Sequence, residues 1–89
     1  MGHSQMLEQQ KNDALNFFEK AVNEMKNKDF ARAYESFKKT RGQLIEVRYW
    51  ARLIEDQPLL SQIEIKLRET ALNGSYCKRR IEKETSINQ

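Results

Sequence analysis

The most constraining feature of this sequence is a run of apolar residues between Phe30 and Ile54 that recur every three or four positions. This spacing places them on one face of an α-helix, and only Thr40, whose methyl group is apolar, departs from the pattern. The members of this stripe are Phe30, Ala33, Phe37, Thr40, Leu44, Val47, Ala51 and Ile54. Because nothing in the chain alternates apolar and polar residues as a strand does, we expect an all-α protein with Phe37 at the centre of its core.

The length of the chain allows one small domain. A chain of 89 residues buries only about 60–65% of its unfolded surface, so two or three helices are the natural number. The 16 basic and 13 acidic residues give a net charge of +3 with both signs mixed, which is typical of a solvated surface. The single cysteine, Cys77, excludes an internal disulfide and favours a reducing compartment. We expect neither a membrane span nor a signal peptide, and residues 1–4 look like a cloning remnant.

The positions of turn and capping residues predict three helices. A first helix covers about residues 5–26, and the polar turn after it ends at Asp29, a good N-cap for a second helix over 29–55. Pro58 suits the first turn of a third helix over 58–83, because it needs no amide partner there. Such short connections force neighbouring helices to be antiparallel. We therefore predict an up-down-up, spectrin-like three-helix antiparallel bundle, with residues 85–89 as a frayed tail.

The apolar stripe of the third helix contains a glycine. Its predicted members are Leu60, Ile63, Leu67, Ala71, Gly74, Cys77 and Ile81. Gly74 follows Asn73, and glycine costs about 1 kcal/mol relative to alanine inside a helix. We favour a continuous helix with a small residue where two helices pack closely. The alternative is a break, with Ser75 capping a short fourth helix. Since Cys77 lies on the stripe, we expect a core residue rather than a reactive thiol.

The sequence contains no pattern that indicates catalysis or metal binding. One histidine cannot supply a base partnered with a nucleophile, and one cysteine with one histidine cannot complete a metal site. We therefore expect no enzyme activity, no cofactor and no metal. A basic cluster near the C-terminus comprises Lys78, Arg79, Arg80 and Lys83. It could contact phosphates, but Glu82 and Glu84 dilute it, and a solvated helix end is the simpler interpretation.

Helices two and three each carry a second row of apolar residues, here called a ribbon, that a single core does not require. The helix-two ribbon consists of Ile45, Tyr49 and Leu53, while Trp50 lies on another side of the same helix. A middle helix that touches both neighbours would account for it. The helix-three ribbon consists of Ile65, Leu72 and Tyr76, with the cations Arg68, Arg79 and Arg80 nearby. Because an edge helix needs only one buried face, we predict that the helix-three ribbon binds an acidic partner and that the helix-two ribbon is the second candidate.

The first two predicted helices resemble a known family. The run Ala14-Leu15-Asn16-Phe17-Phe18-Glu19-Lys20-Ala21 leads through Lys28-Asp29 to Phe30, Ala33 and Phe37. This spacing resembles the first hairpin of a microtubule-interacting and trafficking (MIT) domain. It is also similar to a tetratricopeptide repeat, but no second copy follows at the period of about 34 residues. The segment from Tyr76 to Lys83 resembles the end of the third helix of the family more loosely, and Met25 stands where the family has an acidic residue. The resemblance covers about residues 7–83.

The resemblance to an MIT domain implies a binding function. MIT domains are cytoplasmic three-helix bundles that take short tails of ESCRT-III proteins beside their third helix. They thereby recruit enzymes to membrane remodelling. On this basis we expect a non-catalytic protein–protein interaction module whose partner is an acidic helical tail. It would act in the cytoplasm and reach endosomal membranes through its partners. The alternatives are a self-associating helical adaptor that forms a homodimer, and, with less support, a small basic nucleic-acid-binding bundle.

Overall fold

The computed structural model describes residues 2–87, and side chains are described for residues 5–85. It contains the helices α1 (Gly2–Lys26), α2 (Phe30–Leu53) and α3 (Gln57–Ile87), and no strand occurs in this range. α2 packs along both α1 and α3, whereas α1 and α3 touch each other little. The molecule is a rod of 55 × 16 × 14 Å. The predicted all-α three-helix antiparallel bundle is therefore confirmed.

Aspartate caps begin the second and third helices. The carboxylate of Asp29 accepts from the backbone N–H of Arg32 at 3.5 Å, as expected of an N-cap. Asp56 does the same for α3, accepting from the N–H of Leu59 at 3.2 Å. Capping by Asp56 starts α3 at Gln57, one residue before the predicted Pro58.

The outer ends of the helices extend further than predicted. α1 begins at Gly2, so residues 2–4, which looked like a cloning remnant, are part of the helix. α3 continues to Ile87 rather than stopping near residue 83, and it includes most of the predicted frayed tail. Residue 1 and residues 88–89 lie outside the described range.

The apolar stripe of α2 forms the centre of the core, as predicted. All its members from Phe30 to Ala51 are buried, and Phe37 is only 1% exposed. Thr40 satisfies its hydroxyl by donating to the backbone carbonyl of Ser36 at 2.9 Å, so its methyl can face the core without a polar penalty. The prediction for Ile54 was wrong: this residue follows the last residue of α2 and is 42% exposed.

The core has two halves along the rod, and each helix contributes to both. The aliphatic half consists of Leu7, Ala14, Leu44, Val47, Ala51, Leu59 and Ile63. The aromatic half consists of Phe18, Ala21, Phe30, Ala33, Phe37 and Cys77. In the aromatic half the rings of Phe18 and Phe37 pack edge to face with centroids 5.8 Å apart, a geometry that the ring quadrupole favours.

α3 buries a partly different set of residues from the predicted stripe. Leu59 and Thr70 are buried, whereas Leu60 is half-buried and Ala71 is exposed. The expected positions of Leu60 and Ala71 in the core were therefore wrong by one residue. α3 continues through Gly74 without a break, so the continuous helix is confirmed. A methyl group at this glycine would lie 3.8 Å from the Cβ of a residue on α2, which shows that the two helices approach closely here.

Candidate interaction surfaces

An open groove runs between α1 and α3, because both helices pack on α2 rather than on each other. Its volume is about 310 Å³. The residues that line this α1–α3 groove are Lys11, Leu15, Gln62, Ile63, Ile65, Lys66 and Glu69. Leucine and isoleucine side chains supply most of the lining, together with the aliphatic stems of the two lysines. The groove therefore combines an apolar floor with charged groups at its border.

The two lysines of the α1–α3 groove are fixed by contacts across it. Lys11 on α1 donates to the side-chain oxygen of Gln62 on α3 at 3.3 Å. The ammonium nitrogen of Lys66 lies 4.4 Å from the centroid of the Phe18 ring and 3.3 Å from the carboxylate of Glu69. The attraction of an ammonium group to a ring face also holds Lys66 in place. Lys11 pairs with Glu8 at 2.8 Å, so both lysines of the groove lie beside a carboxylate of their own helix.

The helix-three ribbon is exposed, but its members do not share one pocket. Ile65 is 57% exposed and lines the α1–α3 groove, whereas Leu72 is 65% exposed and lies outside the lining of that groove. Tyr76 is 40% exposed and packs edge to face on Phe30, with ring centroids 5.9 Å apart. The structure therefore gives Tyr76 a packing role that the sequence did not predict.

The arginines predicted to accompany the helix-three ribbon differ in environment. Arg68 and Arg79 are exposed and form no ion pair with any carboxylate among residues 5–85. Arg80 is half-buried, and its guanidinium carbon lies 5.0 Å from the centroid of the Phe30 ring. Its Nε is buried and has no hydrogen-bond partner among the described groups. Arg80 is thus partly a packing residue, while Arg68 and Arg79 are available to a partner.

The helix-two ribbon lies beside a contact between α2 and α3 that is bridged by ion pairs. Tyr49 and Leu53 are each 58% exposed, and Ile45 is half-buried. At the same end of α2, two arginines reach Glu64 on α3. The distances to its carboxylate are 3.5 Å from Arg48 and 3.7 Å from Arg52. These ion pairs connect α2 to α3. The exposed apolar side chains of the helix-two ribbon lie next to them.

A second groove, which the sequence did not predict, lies between the first half of α1 and the second half of α2. It begins with an apolar pocket of about 180 Å³ lined by Met6, Leu7, Gln10, Trp50 and Ile54. It continues into a polar stretch of about 190 Å³ lined by Gln10, Asp13, Gln43, Glu46 and Val47. We refer to the two parts together as the α1–α2 groove. The one sequence signal for it was Trp50, a large apolar residue off both the core stripe and the helix-two ribbon.

The polar stretch of the α1–α2 groove presents hydrogen-bond acceptors. The side-chain oxygens of Gln10 and Gln43 are buried and accept no hydrogen bond from the described groups. Asp13 accepts from the side-chain nitrogen of Gln9 at 3.0 Å. Both Asp13 and Glu46 are exposed, and neither forms an ion pair with a described side chain. The exposed carboxylates of Asp13 and Glu46 therefore make this part of the surface negative, while the two buried amide oxygens are closed to solvent.

The remaining chemical features are those of a packed helical domain. The thiol of Cys77 is buried in the aromatic half, and burial raises the pKa of this thiol above its ordinary value of 9.0, as expected of an inert core cysteine. Among the described residues, no three His, Cys, Asp or Glu side chains converge on a metal-sized site. Within the same residues, no helix is both long enough and apolar enough to cross a bilayer.

Comparisons with family models, with curated proteins and with solved structures find no match to this chain.

Proposed function

We propose that this chain is a non-catalytic protein–protein interaction module that binds a short acidic helical segment of a partner, in the manner of an MIT domain. The observation that carries the proposal is the α1–α3 groove, an apolar channel with the exposed Ile65 on one wall and Lys11 and Lys66 at its border. An amphipathic helix places its apolar face in such a groove through residues three and four positions apart. The two lysines at the border already pair with Glu8 and Glu69. The exposed Arg68 and Arg79 further along α3 form no ion pair with a described residue, and they favour acidic residues on the flanks of that helix.

The surface of α3 beyond the groove supports an acidic partner. Leu72 adds apolar area to an edge helix that needs none there for packing. Arg68 and Arg79 extend the positive border along the same helix, and both are free of ion pairs with described residues. Exposed apolar surface edged by charges is characteristic of interaction sites on small soluble domains. Together with the groove, these residues fit a partner segment several helical turns long.

The resemblance of the first hairpin to MIT domains suggests the class of partner. We propose the acidic C-terminal tails of ESCRT-III proteins. The working location would then be the cytoplasm, with recruitment to endosomal membranes through those tails.

A chemical-shift titration of the isotope-labelled chain with acidic ESCRT-III tail peptides tests this proposal. We expect the shifts to concentrate at Leu15, Ile65 and Lys66, which line the α1–α3 groove. The change Ile65→Asp places a negative charge on the apolar floor. It should weaken binding about thirtyfold or more, since loss of an interface anchor commonly costs about 2 kcal/mol.

Leu53→Asp is the matched control for this experiment. Leu53 is 58% exposed and Ile65 is 57% exposed, so both changes introduce aspartate at equally solvated positions. Circular dichroism and a thermal melt should show both variants folded. If Leu53→Asp abolishes binding and Ile65→Asp does not, the helix-two ribbon is the docking face. If no tail peptide shifts any resonance of the parent chain, the proposed partner class is wrong.

A further inference from the structure

Exposed apolar side chains concentrate at the end of the rod that holds the α1–α2 groove. The large apolar residues exposed at this end are Met6, Tyr49, Trp50, Leu53 and Ile54. The pocket among them has a volume of about 180 Å³. This is close to the roughly 150 Å³ of a cavity that holds one benzene molecule, so the pocket accommodates one aromatic or leucine-sized side chain. Tryptophan and methionine at its walls are residue types enriched in protein interfaces.

The polar stretch next to this pocket is complementary to a ligand that carries hydrogen-bond donors. Asp13 and Glu46 expose carboxylates there, which act only as acceptors when ionised. Lysine and arginine carry several donors and no acceptor, and their charge complements the two carboxylates. The chemistry that fits this stretch is therefore a lysine or arginine side chain.

We infer that the α1–α2 groove is a second docking site and that its occupant is a basic amphipathic helix of a partner protein. Trp50, Glu46 and Gln43 are spaced by four and three residues, so they follow one face of α2 over two turns. A partner helix laid along this face puts an apolar side chain in the pocket and a lysine or arginine one turn away beside Glu46. This site lies on the other flank of α1 from the α1–α3 groove, and it does not depend on the function proposed above.

The charge of the α1–α2 groove argues against a second copy of this chain as the occupant. A two-fold dimer through this face would bring together two copies of the acidic surface that carries Asp13 and Glu46, which like-charge repulsion opposes.

Trp50 is a built-in reporter of this groove, because it is the only tryptophan in the chain. The test uses two model peptides of about four helical turns (~14 residues): an amphipathic helix of leucine and lysine, and its counterpart in which glutamate replaces lysine. We expect the leucine–lysine peptide to shift the Trp50 emission to shorter wavelength, since the half-exposed indole becomes covered. The leucine–glutamate peptide should leave the emission unchanged.

A pair of double variants separates the groove from general charge attraction. Asp13→Lys with Glu46→Lys reverses the polar stretch, and we expect about a tenfold or greater loss of affinity for the leucine–lysine peptide. Glu19→Lys with Glu82→Lys makes the same change in net charge at exposed positions elsewhere, and it should change the affinity less than about threefold. Circular dichroism confirms the fold of both.

Four outcomes would overturn this inference. The first is binding of the leucine–lysine peptide without a change in Trp50 emission, or no binding at all. The second is an equal emission shift with both peptides. The third is an equal loss of affinity in the two double variants, which would indicate attraction by net charge. The fourth is an emission shift when the chain alone is concentrated, which would make a second copy the occupant.

Discussion

The two halves of the core differ in how their outer faces are shielded from water. In the aromatic half, cationic side chains lie over the rings. Lys66 lies 4.4 Å from the ring centroid of Phe18, and Arg80 lies 5.0 Å from that of Phe30. Tyr76 closes the same region by packing its ring edge on Phe30. Each of these side chains combines an apolar body with a polar tip, so it can cover a ring and still face water. The aromatic half is thereby shielded by side chains of its own chain.

Near the aliphatic half, by contrast, the largest apolar side chains remain exposed to solvent. The rings of Tyr49 and Trp50 pack on each other with centroids 5.2 Å apart and remain largely exposed. Both grooves border this half, since Leu7 and Val47 line the α1–α2 groove and Ile63 lines the α1–α3 groove. The comparison indicates that the two halves differ in role. Packing in the aromatic half supplies stability, while the open surface around the aliphatic half contains both grooves for which we propose partner binding.

The largest expected effect is that of Phe37→Ala in the aromatic half. Phe37 is 1% exposed and packs on Phe18, so its truncation leaves a cavity and should cost about 3–5 kcal/mol. Tyr49→Ala, at the aliphatic end, should cost no more than about 0.5 kcal/mol, because its ring is mostly solvated. Denaturant unfolding followed by circular dichroism measures both. A Phe37→Ala variant that melts within a few degrees of the parent would contradict the division between the two halves.

Arg80→Ala should show that cations stabilise the aromatic half. The change removes the guanidinium from the face of Phe30 together with the aliphatic stem, and it should cost about 1 kcal/mol. For a domain of this size that is a fall of about 4–8 °C in melting temperature. Arg79→Ala is the matched control, since Arg79 is exposed and its loss should stay within about 0.5 kcal/mol. Equal effects of the two changes would mean that the cover over Phe30 contributes nothing.

The same cations explain why the register of α3 was harder to predict than the stripe of α2. The side of α3 that faces the bundle carries Leu59, Ile63, Lys66, Thr70, Asn73, Cys77 and Arg80, in alternating steps of four and three. Polar residues occupy four of these seven positions, so counting apolar residues favoured the neighbouring set that includes Leu60 and Ala71. On α2 the corresponding positions are apolar apart from Thr40, and the periodicity alone was sufficient. A lysine or arginine that stacks on a ring is indistinguishable, in the sequence, from a solvated one.

For the candidate sites too, the sequence could predict some features and not others. The exposure of Ile65 and Leu72 could be predicted from their place opposite the core stripe of an edge helix. The grooves could not, because each arises from the distance between two helices that the sequence does not give. For the α1–α2 groove, Trp50 signalled surplus apolar surface on α2. The carboxylates that give the groove its charge come from Glu46 on α2 and from Asp13 on α1, which are remote from each other in the chain.

The smallest effect on the free energy of unfolding is expected from replacing glycine by alanine, and it tests the contact between α2 and α3. Gly74 and Gly42 both lie inside helices with ordinary backbone angles, so alanine should stabilise either position by about 0.5–1 kcal/mol. A methyl group at Gly42 meets nothing within 4 Å, whereas one at Gly74 would lie 3.8 Å from the Cβ of Phe37, an ordinary van der Waals contact. Gly74→Ala should therefore stabilise at least as much as Gly42→Ala in denaturant unfolding. If Gly74→Ala destabilises while Gly42→Ala stabilises, then the aromatic half is packed too tightly at this point to admit a methyl group, and glycine is required there for the close approach of α3 to α2.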